Sequence, residues 1–424
     1  MAGTPRAEPA PAPEPPQPPA AVLDLLRRLG VALCEAGEAA ASTTLILDDV
    51  ARAYGARGVH FFVLPTGVFV RIDTGRSSRV DFASGGDSVL RLDQIDALYR
   101  LIDDIRKGRV DVEGATARLV SLLSSRPRFG AVVTVLGGGV LTVGLGLLLN
   151  PAVTALPAYF VLGCLVGVLR LWADRDRVVA HVLSVTAAVA VTWVTFEFAA
   201  QLLDSPPLDI VIPSLVTLLP GAALTMATVE LSAGSMISGA SRLVFGLQRL
   251  LLLTFGIAMG VQLAGLQPLE GDVAPSLGAW APWAGVLIFG IGQYLASSAP
   301  RRTLGWLLLV LYITYGVQAG SGLLLGSLGA SFVAGAVALL VAYAVQYRRS
   351  GPPVPVTFLP AFWLMVPGAL GLQGVAKIVG ADQAAGLGDF LNALLSIVAI
   401  AVGVLVGSGF AERIGRVASR WRHT

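Results

Sequence analysis

From Phe129 almost to its end, the chain is a series of apolar stretches, each long enough to cross a bilayer. A hydrocarbon core about 30 Å thick takes roughly 20 helical residues. Ten stretches of that kind can be counted, at 129–149, 154–173, 178–203, 208–230, 237–267, 280–298, 303–319, 322–346, 355–380 and 386–410. The boundary between the seventh and eighth is the least marked, only Ala319-Gly320-Ser321. Inside hydrocarbon each backbone N–H and C=O must find its partner within the protein, which leaves helices for segments of this length. Charged residues make up 13% of the chain and hydrophobic ones 55%, where a soluble domain carries about a quarter charged. The fold class is an α-helical polytopic membrane protein.

Loop charges fix an orientation. Arg126 and Arg128, then Arg170, Arg175 and Arg177, then Arg242, Arg301 and Arg302, Arg348 and Arg349, and finally Arg413, Arg416, Arg420 and Arg422 fall on one side of the ten spans. The loops NPAVT, DSPPLD, LEGDVAPSLG, AGS and ADQ fall on the other, with no Lys or Arg. By the positive-inside rule the first side is cytosolic, and so are both termini.

The spans divide the rest of the chain. Residues 1–20 form a Pro/Ala-rich arm expected to be disordered. Residues 21–126 hold most of the charge and read as a small cytosolic α+β domain: two helical periodicities, strands VHFFVLP, GVFVRIDT and SRVDFAS, then two more helices. Residues 127–268 and 279–412 are two sets of five spans, and 413–424 is a basic cytosolic tail.

The two sets are related. PSLVTLLPGAAL at 213–224 and PAFWLMVPGALG at 360–371 share one pattern, and a shift of 147 takes Pro213, Pro220 and Gly221 onto Pro360, Pro367 and Gly368. The same shift takes Gly239, Gly256 and Gly260 onto Gly386, Gly403 and Gly407. The last two pairs belong to GxxxG motifs, which allow close helix approach. Each set has an odd number of spans, so the second copy enters the membrane upside down. The expected architecture is therefore ten transmembrane helices as two inverted five-helix repeats. Interrupted helices at matching places in such repeats point to the binding site of a secondary transporter.

Each Pro-Gly pair lies about 18 Å into its span, near the midplane. Proline lacks a backbone donor and clashes with the preceding turn, but it suits the first position of a helix. Each pair therefore reads as the end of one half-helix and the start of another. The new start carries free N–H groups and partial positive charge, a dock for a carboxylate. The plainer alternative is a proline kink filled by its neighbours.

These residues also carry a resemblance. LVTLLPGAALTMATVELSAGSMISGASRLVFGL, VPVTFLPAFWLMVPGALGLQG and GVALCEAGEAAASTTLILDDVARAYGARGVHFFVLPTGVFV resemble stretches of the threonine/serine exporter family. The resemblance covers nearly everything after the arm. It implies ten helices, a cytosolic N-terminal domain, and proton-motive-force-linked export of small hydroxy amino acids from the bacterial inner membrane. Related two-chain systems imply a dicarboxylate such as succinate as the alternative substrate.

Substrate contacts are expected at Pro220, Gly221, Thr225, Pro367, Gly368 and Gln373. Charges inside spans are costly and mark function, so Glu230, Arg242, Lys377, Asp389 and Glu197 are candidates for proton coupling or gating. The 147-residue shift pairs Glu230 with Lys377 and Arg242 with Asp389, opposite in sign each time. Arg242 could close a cytosolic gate on Glu230. The blander readings are interfacial charges, a snorkelling Lys377, a positive-inside anchor at Arg242, and a Glu197 at the outer end of the third span. No cofactor, metal or catalytic group is expected: there is no Walker loop, HExxH or GxSxG, and the three histidines have no ligand spacing. Expected partners are the small-molecule substrate, protons and lipid, with a homo-oligomer left open and no nucleic acid. An enzyme or a regulatory sensor built on residues 21–126 is the reading from another class.

Overall fold

The computed structural model describes residues 20–73, 78–85, 89–149, 152–199, 206–265, 277–348, 350–365, 374 and 383–421. The chain divides into two compact units, residues 1–89 with 100–124, and residues 90–99 with 125–424.

In the first unit α1 (Ala20–Glu35) is amphipathic. Val22, Leu25, Leu26, Leu29 and Leu33 recur every three or four residues and are buried. α2 (Ala40–Ala53) follows, then the antiparallel strands β1 (Val59–Leu64), β2 (Gly67–Asp73) and β3 (Ser78–Ser84) in the order β1-β2-β3. The register pairs Phe62 with Phe69 and Phe69 with Phe82. Alternation along β2 turns Val68 and Val70 inward beneath α1, and the Pro65-Thr66 turn joins the first two strands as the sequence implies. α3 (Leu92–Arg106), whose residues up to 99 belong to the second unit, and α4 (Val112–Leu123) follow, the latter capped by Asp111, whose side chain accepts from Gly114 N.

The second unit is helical: α5 (Ala131–Leu149), α6 (Leu156–Ala173), α7 (Arg177–Val194), α8 (Pro207–Leu215), α9 (Gly221–Ser232), α10 (Met236–Leu263), α11 (Ala281–Ala296), α12 (Leu304–Gln346), α13 (Val354–Met365) and α14 (Gln383–Trp421). Among the described residues, six helices are long and apolar enough to cross a membrane, and seven if α8 and α9 count as one bent span; α11 and α13 are shorter apolar helices.

One expectation needs correction. The seventh and eighth spans are not separated at Ala319-Gly320-Ser321. α12 runs through those residues, and its one non-helical residue is Gly326, at φ 69° and ψ −176°. As one straight rod α12 would be about 65 Å long, twice the bilayer core. A break at Gly326 leaves two lengths of about twenty residues, and glycine accepts that φ without strain. α14 continues from the last span through Arg413 and Arg416 to Trp421. The fifth helix does begin near residue 237, so Arg249 stands about halfway along α10.

The glycine contacts between helices follow one rule. A β-carbon on Gly256 of α10 would stand 2.8 Å from the Val185 carbonyl oxygen of α7, and one on Gly260 would stand 3.0 Å from that of Val189. In the second half a β-carbon on Gly403 would strike the Phe332 carbonyl, and one on Gly407 would stand 2.8 Å from that of Ala336. Likewise a β-carbon on Gly239 would stand 2.9 Å from Ala227 O, and one on Gly374 would stand 2.7 Å from Gly386 O. Both partners in every pair are displaced by 147. These backbones approach too closely for any side chain.

α5 and α11, the first helix of each set, pack against each other antiparallel. A β-carbon added to Gly137 would stand 2.7 Å from Ala296 N, one on Gly144 2.6 Å from Phe289 Cα, one on Gly292 2.7 Å from Leu141 Cβ, and one on Gly285 3.1 Å from Leu148 Cγ. Moving each partner by 148 residues, forward from α5 or back from α11, turns Gly137–Ala296 into Gly285–Leu148 and Gly144–Phe289 into Gly292–Leu141. The seam maps onto itself, as a contact across a two-fold axis perpendicular to both helices must.

Candidate functional site

The fourth span is broken where the sequence places Pro220. α8 ends in a 3-10 turn over Val216–Leu218, Leu219 is extended at ψ 137°, and α9 begins at Gly221. The two pieces are bent by 54°. The first bond of α9 runs from Leu224 N to Pro220 O at 3.0 Å. Gly221, Ala222 and Ala223 therefore occupy the helix end whose N–H groups have no acceptor within the helix. Pro220 and Gly221 are buried, and Ala222 and Ala223 are half-buried.

Thr225 lies one turn further on, over Gly221. Helical side chains lean toward the N-terminus, and Gly221 puts no side chain in the way. Thr225 is 4% exposed, and among the described residues its Oγ1 has no hydrogen-bond partner, neither the Gly221 carbonyl nor any other. Buried hydroxyls are nearly always bonded. The break thus combines a positive helix end, a bare glycine and an unused hydroxyl.

At the far end of α9 the sequence SAGS builds the turn to α10. Gly234 sits at φ 83°, Ser235 N donates to Glu230 O at 2.8 Å, and Gly234 N donates to Leu231 O at 3.2 Å. This pair of bonds closes a helix C-terminus through a left-handed glycine. The turn folds α10 back along α9. Ser238 and Arg242, one turn apart, then face the Glu230 side chain. Ser238 Oγ donates to Glu230 Oε2 at 2.7 Å and Arg242 Nε donates to the same oxygen at 3.1 Å. Glu230 is 1% exposed. The structure therefore unites Glu230 with Arg242 and adds Ser238, which the sequence reading did not single out. The signal was present: Ser238 and Arg242 have the i, i+4 spacing of one helix face.

α9 packs against α10, α13 and α14, so the second half of the broken span touches both sets of helices. Glu197 is half-buried in a π-helical turn, Thr195–Ala199, that continues α7; such turns concentrate at functional sites. Asp389 is half-buried near the start of α14. Pro367, Gly368, Gln373 and Lys377 lie outside the described residues. Among the described residues no three His, Cys, Asp or Glu side chains gather as a metal site requires.

One contact at the break was not anticipated. Arg170, near the C-terminal end of α6, donates through a guanidinium nitrogen to the carbonyl of Thr217. From sequence it counted only as a cytosolic-side charge.

A multi-pass membrane protein with a broken span, close glycine seams and a buried ion pair at the far end of the helix that follows the break is the class that fold and site define. The chain belongs to the threonine/serine exporter family, ThrE, whose model matches residues 24–264. A threonine/serine exporter of Corynebacterium glutamicum is 23% identical over 431 residues, covering 94% of this chain and 84% of that protein. Pheromone-regulated membrane protein 10 of Eremothecium gossypii is 27% identical over 205 residues, 45% of this chain and 26% of the relative. Its namesake in Candida glabrata is 26% identical over 279 residues, 58% of this chain and 34% of the relative. The chain thus spans about a third or less of these two relatives and most of the bacterial one. No solved structure matches it.

Proposed function

We propose that this protein is a secondary active exporter of threonine, serine and similar small amino acids. The family and the name of the Corynebacterium relative supply the substrate class. The observation that carries the site is the break at Pro220-Gly221, a buried helix start with the unbonded Thr225 hydroxyl above it. A zwitterion's carboxylate meets the N–H groups of Gly221, Ala222 and Ala223 there, with no charged side chain needed. Its own hydroxyl is the right size of partner for Thr225 Oγ1. Pro367, Gly368 and Gln373 form the corresponding part of the second repeat.

The ten spans are two inverted repeats, preceded by the cytosolic domain of residues 21–126 and lying in the bacterial inner membrane with both termini cytosolic. The recurring glycine contacts and the self-mapping α5–α11 seam support the repeats; the one-sided arginines support the orientation. Alternating access is then one five-helix unit moving against the other. Glu230, held by Ser238 and Arg242, is the leading carboxylate for proton exchange: protonation removes its charge and weakens its pair with Arg242, loosening the α9–α10 end. Glu197, Lys377 and Asp389 serve the same cycle elsewhere.

Counterflow in proteoliposomes tests the site. Vesicles loaded with unlabelled threonine, serine or succinate are followed for uptake of each labelled compound, with wild type, Gly221→Leu and Gly368→Leu. Threonine and serine exchange, lost in both variants, is the expected result. Exchange of succinate alone would transfer the scaffold to dicarboxylates. Full exchange in both variants would remove the breaks from the substrate path.

A further inference from the structure

The 3-10 turn that ends α8 closes with Leu219 N donating to Val216 O at 3.1 Å. The next bond of that turn would end on Thr217 O, with residue 220 as donor. Residue 220 is proline and has no N–H. The α-helical donor for the same carbonyl would be Gly221 N, but Gly221 opens a helix turned away by 54°. Thr217 is 9% exposed, and a buried carbonyl without a donor is destabilising. The guanidinium of Arg170 supplies the bond.

We propose that Arg170 is the positioning residue of the first break: it replaces the donor that Pro220 lacks, and so fixes the end of α8 from which α9 starts. The proposal rests on the reading of that break as the substrate site. Guanidinium suits the task because its five N–H donors reach out on a long stem and one can be spent on a carbonyl.

The second repeat indicates what the position requires. α6 corresponds to the first part of α12 with an offset of 148. The buried Tyr159, Leu162, Gly163 and Val166 fall on the buried Leu307, Val310, Leu311 and Thr314. Arg170 then falls on Gln318. Leu364 stands three residues before Pro367 as Thr217 stands three before Pro220. A glutamine amide donates hydrogen bonds but carries no charge. The property shared by the two positions is donation, and the arginine's charge is not essential to it.

The test uses the purified full chain and Arg170→Leu, Arg170→Gln and Arg170→Lys. Hydrogen exchange of peptides spanning residues 214–226 reads the break directly, and threonine counterflow reads the cycle. Arg170→Leu should speed exchange in that segment about tenfold, the loss of one bond to a charged donor, and abolish counterflow. Arg170→Gln should restore most of the protection and most of the flux relative to Arg170→Leu. Wild-type protection in Arg170→Leu would overturn the proposal. So would an Arg170→Gln as impaired as Arg170→Leu beside a fully active Arg170→Lys, since charge would then be the requirement. If Arg170→Leu does not fold, the Gln and Lys variants decide by the same contrast. Protection that follows the expected order while wild type moves neither threonine, serine nor succinate would uphold Arg170 and overturn the transport reading instead.

Discussion

The two halves of the membrane part share their close contacts and differ in their polar side chains. Gly256 on Val185 becomes Gly403 on Phe332, and Gly260 on Val189 becomes Gly407 on Ala336. In each pair the touching atoms are backbone, so the partner's identity changes while the glycine stays. The polar positions are not held this way. Under the same offset Glu230 becomes Lys377, Arg242 becomes Asp389 and Thr225 becomes Leu372; under the α6 offset Arg170 becomes Gln318. Helix packing tolerates no added atom at a backbone crossing. A charged or donating position tolerates exchange so long as a donor or a complementary charge remains, and the hydroxyl of Thr225 belongs to the first half alone. On the proposed reading of the halves as inverted repeats, their chemistry has diverged on a common frame.

The sharpest break of that comparison is at a seam. Gly144→Leu or Gly403→Leu would drive a side chain into the Phe289 or Phe332 backbone. Overpacking of that kind costs about 3 kcal/mol or more, and the expected outcome is loss of monodisperse protein on size exclusion. A seam variant that remains folded and active would mean that the shared glycines are not what holds the halves.

The polar side is tested by charge. Glu230→Ala leaves Arg242 half-buried without its carboxylate, a destabilisation of about 3–5 kcal/mol for a broken buried pair, read as a lower thermal midpoint and lost counterflow. The double exchange Glu230→Lys with Arg242→Asp gives the first half the signs of the second. It should recover at least half of the midpoint lost by either single change. No recovery would show that the carboxylate itself is needed at position 230, as proton exchange there demands. A pH-independent flux in Glu230→Gln would support the same assignment.

A milder change lies at the break. Thr225→Val removes only the unbonded hydroxyl, which makes no bond in the structure. Stability should hold within about 1 kcal/mol or rise, since an unbonded buried hydroxyl is replaced by an isosteric methyl. Threonine and serine should lose preference over valine in competition for counterflow. Unchanged preference would remove Thr225 from substrate recognition.

The smallest effect is expected outside both halves. Hydrogen bonding to Arg28, then to Arg27, holds the Asp24 carboxyl below its usual value. A lowered folded value means stability that is present above the unfolded value and lost as pH falls through the folded one. These pairs are partly exposed, so screening keeps the loss in Asp24→Asn below about 1 kcal/mol. Denaturant melts at neutral and acidic pH measure it.

Much of this was legible in the chain itself. The strands and helices of residues 20–123 follow from period-2 and period-3.6 patterns, and the break at Pro220 follows from proline chemistry. The offset of 147 picked out glycines that lie at close helix crossings in both halves, because a glycine at a crossing cannot be exchanged without cost. Other features were not legible. Ala319-Gly320-Ser321 looks like a break and is helix, while the non-helical residue is Gly326. In hydrocarbon a glycine or serine costs a helix little, so composition does not mark the bend. Arg170 looked like one loop arginine among several.

The sequence by itself determined that the chain spans a membrane repeatedly, where the fourth span breaks, and which register relates the halves. These are properties of backbone donors, side-chain length and transfer from water, and each is local. The tertiary structure alone decided that Glu230, Ser238 and Arg242 share one oxygen, that Thr225 is left unbonded, and that Arg170 reaches Thr217. Those contacts depend on which helix face meets which, and that is set by the fit of backbones at the glycine seams.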